Sequence, residues 1–118
     1  MVSNPIKMYR TLLFAPGSRP ELLSKAQMGD ADAMIFDLED SVPLNAKDEA
    51  RQNIADALAA GLKKPMFLRI SNPRAGDFMR DLKVLADAGS LTNVAGIVLP
   101  KADDANDVQA VAKALQAI

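Results

Sequence analysis

Four continuous apolar runs punctuate the chain: Thr11 to Phe14, Ala33 to Leu38, Met66 to Ile70 and Val94 to Leu99. None alternates with polar residues, the pattern of parallel strands covered on both faces. Between the runs the apolar residues change to helical spacing. After the first, Ser18 and Glu21 stand in the S-x-x-E capping-box register, with Pro20 tolerated in the first turn. Leu22, Leu23 and Ala26 then face one way, and Gly29 supplies a stop. The second helix is expected from near Asn45 to Gly61, with Ala50, Ile54 and Leu58 inward. The third is expected from about Asp77 to Gly89, with Phe78, Leu82 and Leu85 inward. The fourth begins near Asp103 or Asp104 and turns Val108, Val111, Ala112 and Leu115 inward.

The order is therefore βαβαβαβα, which calls for parallel strands joined by right-handed helical crossovers. Two architectures satisfy it. One is a small doubly wound sheet. The other is the first half of an eight-unit barrel, whose units run to roughly 30 residues each. The chain has 118 residues, enough for a single domain with a real core. It stops at "AVAKALQAI", inside an amphipathic helix and without a cap, as a cut chain does. Residues 1–118 are thus expected to form one partial domain truncated in or after its fourth helix.

Composition narrows the chemistry. Fourteen lysines and arginines stand against 15 acidic residues, a net charge of -1 that gives no reason to expect nucleic acid or an anionic membrane as partner. No apolar run approaches the ~20 residues of a membrane span. The N-terminal "MVSNPIKMYR" lacks the apolar core of a secretory signal, and the chain has no cysteine, so the cytosol is the expected compartment. There is no histidine either. Acid–base work falls to carboxylates, lysine, tyrosine or water, and any metal is a hard, oxygen-liganded one such as magnesium.

In both architectures ligands gather at the C-terminal strand ends. After the first strand, Gly17 permits close backbone approach, and Arg19 adds a charge to a helix N-terminus. This is an anion site or a plain capped turn, and Lys25 either adds to it or lies on a solvated helix face. After the second come Asp37, Glu39 and Asp40, three carboxylates within four positions. They read as a cation site, a general acid–base group, or an acidic rim. Arg69 near the end of the third strand grips a substrate carboxylate or pairs with Glu39 or Asp37. Lys101, after Pro100, is a Schiff-base lysine, a charge beside the substrate, or a surface residue.

Taken in order, "RTLLFAPGSRPELLSKA", "ADAMIFDLEDSVPLNAKDEAR", "LRISN" and "GIVLPKADDANDV" resemble the N-terminal half of the citrate lyase beta subunit and malyl-CoA lyase family, over nearly the whole chain. The resemblance implies an α/β fold, about four βα units forming the N-terminal half of a TIM (β/α)8 barrel. It implies magnesium-dependent carbon–carbon cleavage of a malyl-, citramalyl- or citryl-thioester. Phe14, Arg19 and Lys25 match CoA-contacting positions, and Arg69 matches the arginine holding the keto-acid carboxylate. Glu39 and Asp40 match acidic residues near the metal and its waters, with Asp37 beside them. The family's direct magnesium ligands, a glutamate and an aspartate, follow its fifth and sixth strands, beyond Ile118. The resemblance also implies a homo-oligomer, trimeric or hexameric, or assembly with other citrate lyase subunits. The rival expectation is a non-catalytic doubly wound domain that binds a cation or signals.

Half a barrel would leave apolar edges on its first and fourth strands, so the chain alone is expected to be inactive and to associate. The coding sequence downstream of Ile118 is expected to continue into four more βα units carrying the missing glutamate and aspartate. Sequencing through that region decides the matter, and a natural stop codon directly after Ile118 would refute it.

Overall fold

The computed structural model describes residues 8–118. Residues 1–7, part of the stretch read above for targeting, lie outside the described residues. Four strands, β1 (Leu12–Pro16), β2 (Ala33–Asp37), β3 (Met66–Arg69) and β4 (Val94–Val98), alternate with four helices. The helices are α1 (Pro20–Met28), α2 (Lys47–Ala60), α3 (Phe78–Ala86) and α4 (Ala105–Gln116).

All strand pairs are parallel, and the sheet order is β1-β2-β3-β4. This order decides between the two architectures. A doubly wound sheet reverses direction after its first unit, so its strand order is not sequential. Here each strand lies beside its predecessor, and right-handed crossovers then place every helix on the same face. Consecutive helices accordingly touch, α1 with α2, α2 with α3 and α3 with α4. The result is a barrel-like wall of four βα units.

The core lies between sheet and helices. Ala15, Met34, Phe36, Leu38, Met66, Leu68 and Ile70 pack from the strands against Leu23, Ala26, Ala50, Ile54, Leu58, Leu82 and Val111 of the helices. The alternate strand positions face away from the helices. There the register aligns Phe14, Ile35, Phe67 and Gly96 in one row across the sheet. Phe67 lies over Gly96, where an added Cβ would meet its ring at 3.4 Å.

Continuous apolar runs lead one to expect every strand to be covered on both faces. Only β2 is buried throughout. Leu12, Leu13 and Phe14 of β1 are each about half exposed, and β4 is only partly covered. The outer strands lack a neighbour on one side, and burial of an edge strand depends on that neighbour as well as on the helices.

Three local expectations are corrected. Ser18 does not cap α1: Arg19 is the N-cap residue, makes no side-chain cap bond, and pairs instead with Glu21 at 2.5 Å. The S-x-x-E spacing is one residue out of phase with the helix start. In α4, Val108 and Ala112 are exposed, whereas Asp107 and Val111 are buried. Asp107 turns inward because it accepts hydrogen bonds from the Asp103 N–H and the Arg74 guanidinium, which rotates the apolar stripe.

Gly17 is the third. Its absent side chain serves packing, not a ligand: a Cβ there would lie 2.9 Å from the Asp37 carbonyl oxygen, 2.9 Å from Ile54 Cδ1 and 3.1 Å from Ala50 Cβ. Its N–H donates to the Asp37 carbonyl and its own carbonyl accepts from Asn53 Nδ2 at 3.0 Å. The first strand end is thus seated directly on β2 and α2. Gly17→Ala is expected to destabilise the fold by about 1–3 kcal/mol, the cost of overpacking a close contact. A urea unfolding curve measures it, and a wild-type midpoint would contradict the packing role.

Candidate functional site

The C-terminal ends of the four strands bring most of the charged candidates together. Asp37 and Arg69 are register partners at the ends of β2 and β3. The guanidinium grips the carboxylate with two bonds, Nε to Oδ1 and Nη2 to Oδ2, both 2.7 Å. Asp37 is fully buried, and Arg69 has a side chain about one-fifth exposed. Both charges have left bulk water, which is tolerable only because they meet.

Asp37 is saturated beyond this pair. Oδ1 also accepts from the Glu39 N–H at 2.9 Å. Oδ2 accepts from the Ser41 N–H at 3.0 Å and the Ser41 hydroxyl at 2.5 Å. Burial opposes its ionisation, but the bonds from Arg69, Ser41 and the two backbone N–H groups outweigh that. They hold the carboxyl far below the usual carboxylate range. With five donors on two oxygens, Asp37 has no position left to accept a substrate proton. The acid–base expectation for it gives way to that of an anchor.

Glu39 differs. Its side chain is largely buried, and Oε2 accepts from Lys101 Nζ. Oε1 is buried and has no hydrogen-bond partner among the described residues, with Arg69 Nε 3.8 Å away. A buried carboxylate oxygen without a donor costs free energy unless a ligand or water supplies one. Asp40 is exposed and holds Lys101 Nζ at 2.9 Å, and this bond lowers its pKa.

Lys101 is therefore clamped between two carboxylates. Its pKa is raised by the bonds to Glu39 and then Asp40. A Schiff-base lysine needs a neutral amine, so this arrangement opposes that reading and leaves Lys101 a charge at the site. Its backbone is in the left-handed region, φ 53°. The strain is held by Asn72 Nδ2 and Arg74 Nη2, which donate to its carbonyl at 3.2 and 2.9 Å. Glu39, Asp40, Asn72 and Lys101 line a cavity of about 350 Å³ with Lys47, Ser71 and Asp77.

Phe14 belongs to the same constellation: the Arg69 guanidinium carbon sits 4.7 Å from its ring centroid. Arg19, exposed at the start of α1, and Lys25, exposed farther along that helix, stand outside this cluster. They share only the neighbouring Glu21, whose pKa is lowered mainly by its bond to Arg19.

Several supports were not read from the sequence. Lys47 Nζ donates to the Leu38 and Glu39 carbonyls at 2.5 and 2.9 Å, pinning the acidic loop from beneath. Arg51 Nε donates to the fully buried Asp81 at 2.8 Å, and Asp81 also accepts from the Ser71 N–H at 2.8 Å. Arg51 and Asp81 lie on helical faces whose apolar neighbours masked them. The one sequence cue was Asp37 at a strand end, whose side chain accepts from the N–H two residues on in an Asx-type turn.

As for a metal, the described residues contain no group of three or more acidic, histidine or cysteine side chains placed to hold one directly. The unpartnered Glu39 Oε1 nonetheless suits a hydrogen bond from a metal-borne water.

Residues 10–118 match the HpcH/HpaI aldolase/citrate lyase family. Among relatives, the citrate lyase subunit beta-like protein of Deinococcus radiodurans is 35% identical, over 95% of this chain and 40% of its own length. The (3S)-malyl-CoA thioesterase of Cereibacter sphaeroides is 41% identical, over 88% of this chain and 36% of its own. The L-malyl-CoA/beta-methylmalyl-CoA lyase of Rhodobacter capsulatus is 37% identical, over 97% and 36%. Of solved structures, CitE from Mycobacterium tuberculosis in complex with magnesium, acetoacetate and coenzyme A aligns at TM-score 0.65 and 33% identity. It covers 86% of this chain and 35% of that one. The citrate lyase beta subunit from M. tuberculosis complexed with oxaloacetate and magnesium aligns at 0.64 and 33%, over 86% and 42%. The four-stranded parallel sheet and its helices match the N-terminal part of that TIM-barrel-like fold. The chain spans about two-fifths of the length of these relatives.

The electrostatics predict a pH signature. The folded-state pKa of Asp37 lies below its unfolded value of about 3.9, so its stabilisation is complete above that value. It is lost progressively as the pH falls towards the folded-state pKa. Asp37→Asn is expected to destabilise the protein by about 3–5 kcal/mol at pH 7, the cost of stranding a buried partner. The gap from wild type should narrow as the pH is lowered from about 5 towards 2. Urea unfolding across that range measures this, and a constant gap would contradict it.

Proposed function

The chain belongs to the HpcH/HpaI aldolase/citrate lyase family, and on that premise we propose that the protein it forms part of is a carbon–carbon lyase acting on a CoA thioester. The substrate is of the malyl, citramalyl or citryl type, and the products are an acetyl thioester and a keto acid. One observation carries the reading. At the C-terminal end of the parallel strands, an arginine whose side chain is about one-fifth exposed is held by a buried carboxylate, 3.8 Å from a Glu39 oxygen that has no hydrogen-bond partner among the described residues.

In this reading Arg69 binds the carboxylate of the keto-acid portion and so orients the bond to be broken. Asp37 anchors Arg69. Glu39, with Oε1 unpartnered, accepts a proton or a hydrogen bond at the reacting hydroxyl or at a nearby water. As the hydroxyl loses its proton, its oxygen becomes the keto-acid carbonyl. The carbon–carbon bond breaks, its electron pair stays with the thioester fragment, and that fragment is reprotonated at carbon. Lys101 and Asp40 keep the rim charge balanced around Glu39. Arg19 and Lys25, exposed at and below the mouth of β1, receive the CoA phosphates, with Phe14 at the entrance. Magnesium, when bound, would neutralise the developing oxyanion as a Lewis acid, its direct ligands coming from outside residues 8–118 and Glu39 and Asp40 touching its waters. Cytoplasmic location and a homo-oligomer or citrate lyase complex accord with this role. Among the described residues no helix is long and apolar enough to cross a membrane.

Two substitutions in the full-length enzyme separate the proposed roles. Arg69→Ala is expected to abolish thioester cleavage while CoA affinity persists. Arg19→Ala is expected to weaken CoA binding by about 1–3 kcal/mol, the scale of a charged hydrogen bond. Turnover assays with malyl-, citramalyl- and citryl-CoA and calorimetric CoA titration measure both. Near-normal cleavage by Arg69→Ala would refute the carboxylate role.

A further inference from the structure

Two positions below the charged strand ends, the inner face of the sheet turns apolar. Side chains two apart on a strand share a face, so Phe67 stands beneath Arg69 and Ile35 beneath Asp37. With Phe14 and Gly96 they form one row across the four strands. Such rows close the interior of a barrel as packed layers, so this row is the floor on which the charged cluster rests. Gly96 is its one bare position. The Gly96 backbone lies outside the left-handed region, so conformation does not demand a glycine there. Apart from its chain neighbours, an added Cβ would meet only the Phe67 ring among the described residues, Cδ1 at 3.4 Å and Cε1 at 3.5 Å. The glycine therefore makes room for that ring and nothing else. Tyr9 packs edge-to-face against the same ring, with centroids 5.8 Å apart. Phe67 thus leans onto β4, and the ring over the Arg69 guanidinium is that of Phe14.

We infer that this floor selects the substituent on the carbon that bears the reacting hydroxyl: methyl is preferred to hydrogen, and a charged carboxymethyl is excluded. The thioester is then of the citramalyl type and the keto acid is pyruvate. Phe67 is the specificity residue that the substituent touches, and Gly96 is a positioning residue acting through it. The inference rests on the lyase reading for the other three directions at that tetrahedral carbon. Its carboxylate lies on Arg69, its hydroxyl at Glu39, and its thioester arm runs to the mouth where Arg19 and Lys25 receive the CoA. The direction left points into the barrel, onto the row. There Phe14, Ile35 and Phe67 offer only carbon, so a methyl gains by leaving water. A carboxymethyl instead brings a second negative charge, and the cations at this end are engaged. Lys101 is held by Glu39 and Asp40, and Lys47 donates to the Leu38 and Glu39 carbonyls. Arg74 pairs with Asp107 and donates to the Lys101 carbonyl, and Arg69, already paired with Asp37, takes the first carboxylate. Among the described residues, a second carboxylate would stand desolvated on an apolar floor.

Glyoxylate, pyruvate and freshly dissolved oxaloacetate carry hydrogen, methyl and carboxymethyl at this position, and calorimetric titration of each into the full-length protein with magnesium needs no turnover. Wild type is expected to bind pyruvate roughly fourfold more tightly than glyoxylate, the worth of one buried methylene at about 0.8 kcal/mol. Oxaloacetate is expected to bind roughly tenfold or more below pyruvate, the scale of an unpaired buried polar group. Gly96→Ala, whose Cβ meets the ring at ordinary contact distance, is expected to keep this order. Gly96→Leu drives the ring up towards Arg69 and is expected to remove the advantage of pyruvate over glyoxylate. Adding Phe67→Ala to Gly96→Leu makes room again and is expected to restore part of it, whereas a purely structural defect would weaken all three acids together. If Gly96→Leu fails to fold, Phe67→Ala alone decides, with the methyl advantage lost and glyoxylate affinity kept. An unchanged order in folded Gly96→Leu or in Phe67→Ala, or a wild type that binds either other acid more tightly than pyruvate, would overturn the floor assignment and leave the lyase reading standing. Binding of none of the three acids would overturn both.

Discussion

Two opposite charges taken out of water must find each other, and the pairing of Asp37 with Arg69 is the constraint around which this end of the molecule is arranged. A buried ion pair adds little net stability, because desolvation consumes most of the Coulomb gain. Breaking it is costly, however, so it enforces one arrangement over others. Here the arrangement is the register of β2 against β3, since the two residues are direct cross-strand partners. The same carboxylate collects the N–H groups of Glu39 and Ser41, so strand pairing, the shape of the acidic loop and the aim of the arginine become a single structural fact.

The other supports extend this logic around the rim. Arg51, Asp81 and the Ser71 N–H tie α2 and α3 to the end of β3. Arg74, Asn72 and Asp107 tie the loop after β3 to the loop after β4 and hold Lys101 in its left-handed conformation. Gly17 lets the first strand end settle on Asp37, Ala50 and Ile54. Each connection runs between consecutive βα units, so the four loops form a chain of polar clamps above an apolar core. Such clamps stiffen the rim, because loops positioned only by their own sequence would move.

The edges tell a complementary story. β2 is covered throughout, whereas β1 and β4 expose apolar positions and unpaired backbone. Isolated parallel sheets are rare because both faces and both edges need cover. The four-unit wall satisfies the first demand on its helical side only, which fits a family whose members are more than twice as long as this chain.

Much of this was legible in one dimension. The apolar runs located all four strands to within two residues, because buried strands of a parallel sheet must be apolar. The positions directly after them held the charged residues, because a parallel α/β fold can expose chemistry only at strand ends. Asp37, Glu39, Arg69 and Lys101 were therefore recognisable as a set. Their assignments were not. Whether Arg69 would meet Asp37 or Glu39 depends on strand register and on depth below the surface, quantities that no local pattern encodes across 32 residues of chain separation. The inward turn of Asp107 and the packing role of Gly17 escaped for the same reason: each is set by a partner from another βα unit. Sequence periodicity determined where elements lie and which residue types stand at their ends. Only the tertiary structure decided which charge is spent on an internal partner and which atoms stay available, because a hydrogen bond is allotted by distance in space and each donor or acceptor can be used only so many times.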